Sequence, residues 1–193
     1  IHGLLTYLPG IKVVMPSTSY DAKGLLLGAM HDPNPTVILE HRWLYDSEGY
    51  VPEEHYISPI GQAMICREGK DITIVAASLM VHEAMKASEE LTKHGIDTEV
   101  IDLRSIKPWD KSMVIASVQK TGNLVIADPG YGFGGLSAEI AAEISDSCWD
   151  KLQSPVKRVF LPEAPVPASS VLEDVYFPDA TEIEDLIINI LNN

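Results

Sequence analysis

Short β-branched runs separated by amphipathic stretches recur along the chain. Gly10–Met15 is a run of this kind closed by Pro16, the pattern of a buried strand. Ser17–Lys23 then supplies helix-starting hydroxyls and a carboxylate ahead of Leu25, Leu26 and Ala29, which share one helical face. Asp32-Pro33-Asn34-Pro35 must stop that helix, because proline lacks an amide hydrogen and restricts the residue before it. Thr36–Glu40 reads as a second strand. One strand–helix–strand crossover is too small to bury a core alone, so further sheet is expected upstream of Ile1.

Between Arg42 and Pro59 the pattern dissolves into Tyr, Glu, Ser, Gly and Pro, which predicts a linker. Gly61–Cys66 and Asp71–Ala76 then read as strands paired in a hairpin across Arg67–Lys70. Beyond them the alternation is regular: a helix over Met80–Lys93 capped by Gly95, strand Thr98–Asp102, helix Lys111–Gln119, and strand Asn123–Ala127. A Gly-rich turn, Asp128–Gly135, leads into a helix over Leu136–Leu152 and a strand over Val156–Leu161. A Pro-rich crossing to Pro178 precedes a last helix, Thr181–Leu191, with Thr181 as its N-cap and Glu184 three positions on. The fold class is α/β: a three-layer α/β/α sandwich on a mostly parallel five-stranded sheet with one antiparallel strand, preceded by a partial α/β unit. The domains are expected at 1–45, with a linker over 46–59, and at 60–193.

Charge narrows the function. Fourteen basic against twenty-eight acidic residues give a net charge of -14, which repels nucleic acid and anionic membranes alike. No apolar run approaches the ~20 residues of a membrane span. Cys66 and Cys148 form no CxxC pair and no zinc-like spacing. These features read as a cytoplasmic protein, or one of the mitochondrial matrix in a eukaryote. The chain opens without Met, at Ile1-His2-Gly3, inside sequence that already looks folded, so its true start is expected upstream.

Candidate chemistry is thin. Gly130, Gly132 and Gly135 satisfy G-x-G-x-x-G between a strand and a helix, where a dinucleotide's pyrophosphate could sit. The turn follows a late parallel step, however, and the acidic residue about twenty positions on, Asp150, closes a helix. Glycines that let the turn pass close to another backbone or a neighbouring subunit are the favoured explanation. His2, His31, His41, His55, His82 and His94 share no ligand spacing. Ser78 precedes a helix without a G-x-S-x-G context, as a capping serine would. Trp43, Trp109 and Trp149 are scattered and expected in core or interface packing. No nucleophile, base or metal cluster surrounds the Gly-rich turn, so the chain reads as a supporting part of a larger catalyst, with a free-standing anion- or nucleotide-binding module as the alternative.

Several segments in order carry a resemblance: Leu8-Pro-Gly-Ile-Lys-Val-Val-Met-Pro-Ser-Thr18, Asp21-Ala-Lys-Gly-Leu25, Asn34-Pro-Thr-Val-Ile-Leu-Glu-His41, Val100-Ile-Asp-Leu-Arg-Ser-Ile-Lys-Pro-Trp-Asp110, Lys120-Thr-Gly122 and Gly134-Gly-Leu-Ser-Ala-Glu-Ile140. Together they resemble the beta subunit of the decarboxylating component of 2-oxo acid dehydrogenase complexes, within the transketolase-like superfamily. Transketolase and deoxyxylulose-phosphate synthase share the later segments.

The resemblance implies a thiamine-diphosphate enzyme in which an alpha subunit grips the diphosphate through magnesium and the beta subunit holds the pyrimidine ring. The glutamate that activates the ring and the substrate-side histidine lie upstream of Ile1 in that family, so His2 inherits no role. No residue here is assigned as catalytic or cofactor-binding. Residues 1–45 would be the tail of the pyrimidine-binding domain, and 60–193 the C-terminal domain that builds a homodimer and faces the acyltransferase core. A potassium ion is implied at the turn holding Ala29, Met30, Asp32 and Asn34, where carbonyl and carboxylate oxygens suit a hard cation. Two departures stand out: Leu152-Gln-Ser-Pro155 where the family commonly has Leu-Asp-Ala-Pro, and Asp128-Pro-Gly130 where many members have His-Glu-Ala or Glu-Gly-Gly.

Overall fold

The computed structural model describes residues 1–192. In chain order it holds α1 (His2–Tyr7), β1 (Lys12–Val14), α2 (Ser19–His31), β2 (Thr36–Ile38), a 3-10 turn (Arg42–Leu44), β3 (Met64–Arg67), β4 (Ile72–Ala76), α3 (Leu79–Lys93) and β5 (Thr98–Asp102). These are followed by β6 (Ser105–Lys107), α4 (Lys111–Thr121), β7 (Leu124–Tyr131), α5 (Leu136–Ser147), β8 (Lys157–Leu161), α6 (Ser170–Tyr176) and α7 (Ala180–Leu191).

The larger sheet runs β3-β5-β4-β7-β8. Four of its strands are parallel, and β3 lies antiparallel on β5. The three-layer architecture follows from the side-chain alternation of its central strands. Val75, Ile101, Leu124 and Ile126 face a core closed by Val114 and Val118 of α4 and Ile140 and Ile144 of α5. Ile74, Val100 and Val125 face the opposite core, closed by Ala84, Ala87 and Leu91 of α3 and Ile183 and Ile187 of α7. With both faces covered, all five residues of β4 are buried, the polar Thr73 included.

The expected hairpin between β3 and β4 does not form. Both edges of β4 are taken by parallel neighbours, β5 and β7, so β3 is displaced to the outer edge of β5. The link at Arg67–Lys70 crosses the start of β5, where the amides of Lys70 and Asp71 both donate to the Asp97 carbonyl at 3.1 and 2.9 Å. Only glycine fits at position 69, because a Cβ there would stand 2.2 Å from the Thr98 carbonyl carbon.

A second, three-stranded sheet runs β2-β1-β6. β1 and β2 are the parallel pair of the N-terminal crossover, and β6, sent out from the C-terminal part of the chain, closes the other edge of β1 antiparallel. Segment 42–59 is strapped down along α2 and does not hang free. Tyr56 stacks on Tyr20 at 4.3 Å, and the Ser58 amide donates to the Gly24 carbonyl at 3.1 Å.

Several ends differ from expectation. α7 is capped by Asp179, whose carboxylate accepts from the amides of Thr181 and Glu182, and Thr181 lies inside the helix. α5 stops at Ser147, and the Pro-rich crossing contains the short α6. Trp109 packs against the core and Trp43 sits edge-on to Phe177 at 4.9 Å, whereas Trp149 is 76% exposed.

Candidate functional site

In a doubly wound sheet the ligand crevice opens outside the carboxyl ends of the strands, where successive connections leave toward opposite faces. Here α3 and α4 do so on either side of β4 and β5. That edge collects Ser78 after β4, Asp102 and Arg104 at the end of β5, and Asp128 in β7. Every one of these side chains is buried.

The crevice is filled by the chain's own Pro16–Asp21 segment. Ser17 donates its hydroxyl to Asp102 Oδ2, and the Arg104 amide donates to Asp102 Oδ1 at 2.8 Å. His82, on the first turn of α3, donates from Nε2 to the Ser17 carbonyl at 2.7 Å. Arg104 donates from Nη1 to Asp21 Oδ1 at 3.1 Å, and Ser58 donates to the same oxygen at 2.9 Å. The rest of the guanidinium is spent on the carbonyls of Gln62 and Ala63. A continuous polar seam therefore joins the N-terminal unit, the 42–59 strap and the large sheet. Burial pushes the Asp102 carboxyl up to about 6, against the Ser17 hydroxyl and the Arg104 amide, which both favour the charged form. Burial and the nearby Asp102 charge push the Cys66 thiol up to about 11.

Ser78 occupies the N-cap position of α3, but its hydroxyl makes no cap bond and has no partner. Its backbone sits at φ 53° and ψ −129°, a region favouring glycine. Its hydroxyl has no hydrogen-bonding partner among the described residues, so neither the capping expectation nor a nucleophilic role fits its geometry.

The Gly-rich turn is occupied from within. His2 Nε2 donates to Asp128 Oδ1 at 2.8 Å, and the amides of Gly130 and Ser137 donate to the same carboxylate at 3.0 and 2.9 Å. Burial works to raise the Asp128 carboxyl, but the His2 bond and charge and the Ser137 amide outweigh it and hold it below its ordinary value. A Cβ at Gly130 would lie 2.1 Å from the His2 ring, one at Gly132 would lie 2.5 Å from the Phe160 ring, and one at Gly135 would lie 2.1 Å from the Tyr131 carbonyl oxygen. The glycines thus admit this chain's own side chains and backbone, at the place where the fingerprint reading would seat a pyrophosphate. Sequence reasoning missed the His2–Asp128 pair because 126 positions separate its members.

At the implied cation turn, one oxygen of Asp32 accepts from Lys12, and the other accepts from the amide of Asn34 at 2.9 Å and from its Nδ2 at 3.0 Å. Lys12 and the Asn34 amide hold the Asp32 carboxyl down at about 2. The Ala29 carbonyl accepts from the Asp32 amide at 3.3 Å, and Met30 is 73% exposed. Lysine thus supplies the positive charge at this turn. Among the described residues no group of three or more His, Cys, Asp or Glu side chains could hold a metal ion, and no helix is long and apolar enough to cross a membrane.

Comparison with known proteins places this geometry. Residues 61–183 match the family model of the transketolase C-terminal domain, and residues 2–47 match that of the transketolase pyrimidine binding domain. The chain is 44% identical over 180 residues to the beta subunit of acetoin:2,6-dichlorophenolindophenol oxidoreductase from Cupriavidus necator, covering 93% of this chain and 53% of that protein. It is 45% identical over 184 residues to the beta subunit of the pyruvate dehydrogenase E1 component from Bacillus subtilis, covering 95% of this chain and 56% of that protein. The chain thus spans about half the length of the curated relatives it matches. Among solved structures, a split-gene transketolase described as an inactive beta4 tetramer superposes with a TM-score of 0.79 at 24% identity, over 98% of this chain and 60% of that one.

Proposed function

The chain belongs to the transketolase C-terminal domain family, and from that premise we propose that it is part of the beta subunit of a thiamine-diphosphate-dependent 2-oxo acid dehydrogenase, acting in assembly. Residues 1–45 belong to the pyrimidine-binding domain of that enzyme, and residues 60–193 to the C-terminal domain. An alpha subunit supplies the magnesium-held diphosphate site. The substrate carries a carbonyl group, as do the pyruvate and acetoin in the relatives' names.

One observation carries the scaffold role: among the described residues, no buried carboxylate is left open. Asp21 is engaged by Arg104 and Ser58, Glu99 by Lys120 and Ser117, Asp102 by Ser17 and the Arg104 amide, and Asp128 by His2. Thiamine diphosphate supplies a thiazolium carbanion only when a carboxylate meets its pyrimidine nitrogen. The donors described above are committed to one another, so these residues do not fit the cofactor on their own, and no catalytic step is assigned to them.

A partner-facing role is supported by the apolar surface around the Gly-rich turn. Phe133 is 92% exposed, and beside it Tyr131, Phe160, Ala164 and Pro165 line a groove of about 430 Å³. Contiguous apolar surface of this kind marks interaction sites. Dimerisation through the C-terminal domain and docking to an acyltransferase core are assigned to this portion of the chain. Potassium, if held at Ala29, Met30, Asp32 and Asn34, requires Lys12 to withdraw from Asp32. A melting temperature higher in potassium than in sodium would reveal it.

Calorimetry with thiamine diphosphate, NAD and ADP tests the assignment. The chain alone is expected to bind none of the three and to gain thiamine-dependent 2-oxo acid decarboxylation only within the complete alpha–beta enzyme. Tight binding of any of the three, or turnover by the chain alone, overturns it.

A further inference from the structure

The seam at the end of β5 buries more negative charge than its one guanidinium balances. Asp21 and Asp102 are both fully excluded from water, and Arg104 is nearly so. Arg104 gives its guanidinium to Asp21 and to the Gln62 and Ala63 carbonyls, so Asp102 receives only a hydroxyl and a backbone amide. An ionised carboxylate held by neutral donors alone costs more to bury than its protonated form. Among the described residues, the titratable and charged groups facing Asp102 are Asp21 from α2, Arg104 beyond β5, Cys66 from β3, and His82 from α3, which reaches it through the Ser17 carbonyl. Asp21 disfavours the charge on Asp102, whereas Arg104 favours it.

The position of this carboxylate gives its protonation a structural readout. Ser17 opens the segment that leads into α2, with Thr18 as the helix N-cap, and it is fixed to β5 through Asp102 and to α3 through His82. Just ahead of it, the Met15 amide donates to the Arg104 carbonyl at 2.7 Å, so both sides of the contact are anchored around Asp102.

We propose that this seam is a proton-operated latch, in which uptake of a proton by Asp102 as the pH falls below neutrality closes the Pro16–Asp21 segment more firmly onto β5. The sign follows from linkage. A carboxyl whose folded-state pKa lies above its unfolded value binds its proton first in the native state, so its contribution is complete below the unfolded pKa and is lost as the pH rises through the folded one. For Asp102 that window runs from about 6 down to 3.8. Across it the folding equilibrium gains up to about tenfold per pH unit, or about a hundredfold in all. The latch is independent of which reaction the parent enzyme performs.

The test uses the intact protein and Asp102→Asn, which keeps the side chain's shape and an acceptor for Ser17 but cannot ionise. Urea unfolding is followed between pH 7.5 and 4.5, together with intrinsic-rate-corrected exchange of the Asp21 and Ala22 amides. The wild type should become more stable relative to Asp102→Asn as the pH falls through 6, with protection rising at the start of α2 ahead of the rest of the chain. Should Asp102→Asn fail to fold, the ¹³C resonance of the Asp102 carboxyl in the wild type gives its midpoint directly. Ser17→Ala, which removes the hydroxyl that favours the charged form, should raise that midpoint. A midpoint at or below 4 overturns the latch, as does a pH response that survives unchanged in Asp102→Asn and therefore belongs to another group. Protection that rises uniformly along the chain overturns it too.

Discussion

Arg104 and Asp21 meet at 3.1 Å across 83 positions of sequence, with side chains 10% and 1% exposed. The pair joins α2 to the turn after β5, at the edge where the fold usually leaves room for a ligand. Arg104 itself sits at φ 54°, so the backbone is bent to aim this guanidinium inward.

Removing the cation should therefore cost more than its packing. Arg104→Met leaves Asp21 and two carbonyls buried without their donor, and a loss of about 3–5 kcal/mol is expected. The double variant with Asp21→Asn should recover part of it. Urea unfolding of the two single variants and the double variant measures the coupling.

Gly130 and His2 should be coupled in the same sense. Gly130→Ala forces a methyl group into the His2 ring and should cost about 1–3 kcal/mol. In a His2→Ala background, where the ring is gone, most of that penalty should vanish. Equal penalties in the two backgrounds would show that the ring does not occupy that space.

Ser78 is a serine in a backbone conformation suited to glycine, with an unsatisfied buried hydroxyl. Ser78→Gly should stabilise the protein by about 1 kcal/mol, since it relieves both the strain and the orphaned donor. A thermal melt a few degrees higher is the expected readout, and a lower one would reveal a partner for the hydroxyl.

Asp128 sets an acid limit opposite in sign to Asp102. Its carboxyl is held below the ordinary value, so the stability it confers is present above pH 3.8 and is lost as the pH falls through its lowered pKa. Asp128→Asn should lower stability at neutral pH and flatten the fall below pH 4. An acid limb as steep as that of the wild type would assign the loss to other carboxylates.

Much of the framework was legible from periodicity. The run Ile72–Ala76, apolar but for Thr73, reads as a strand, and the structure buries all five of its residues. What failed was pairing. Nothing local distinguishes a hairpin partner for β4 from an edge partner for β5, because the choice is made by β7, which arrives about fifty residues later. β6 escaped notice because three residues beside Pro108 show no period. The polar seam was equally hidden: Asp21, Ser58 and Arg104 each look like ordinary surface residues until the fold brings them together. The ordered segments that resembled the decarboxylating beta subunit did locate the family, since order and spacing survive where single motifs are weak.

The three residues of β6 tie the N-terminal unit to the rest of the chain. Composition puts the boundary at 46–59, but β1 completes its sheet with a strand that belongs to the other half of the chain. The covalent joint and the mechanical joint are therefore different places. A cut through the strap would leave two polypeptides still zipped along β1 and β6, and a fragment begun at residue 60 would expose that zipper's raw edge to the nearest available strand.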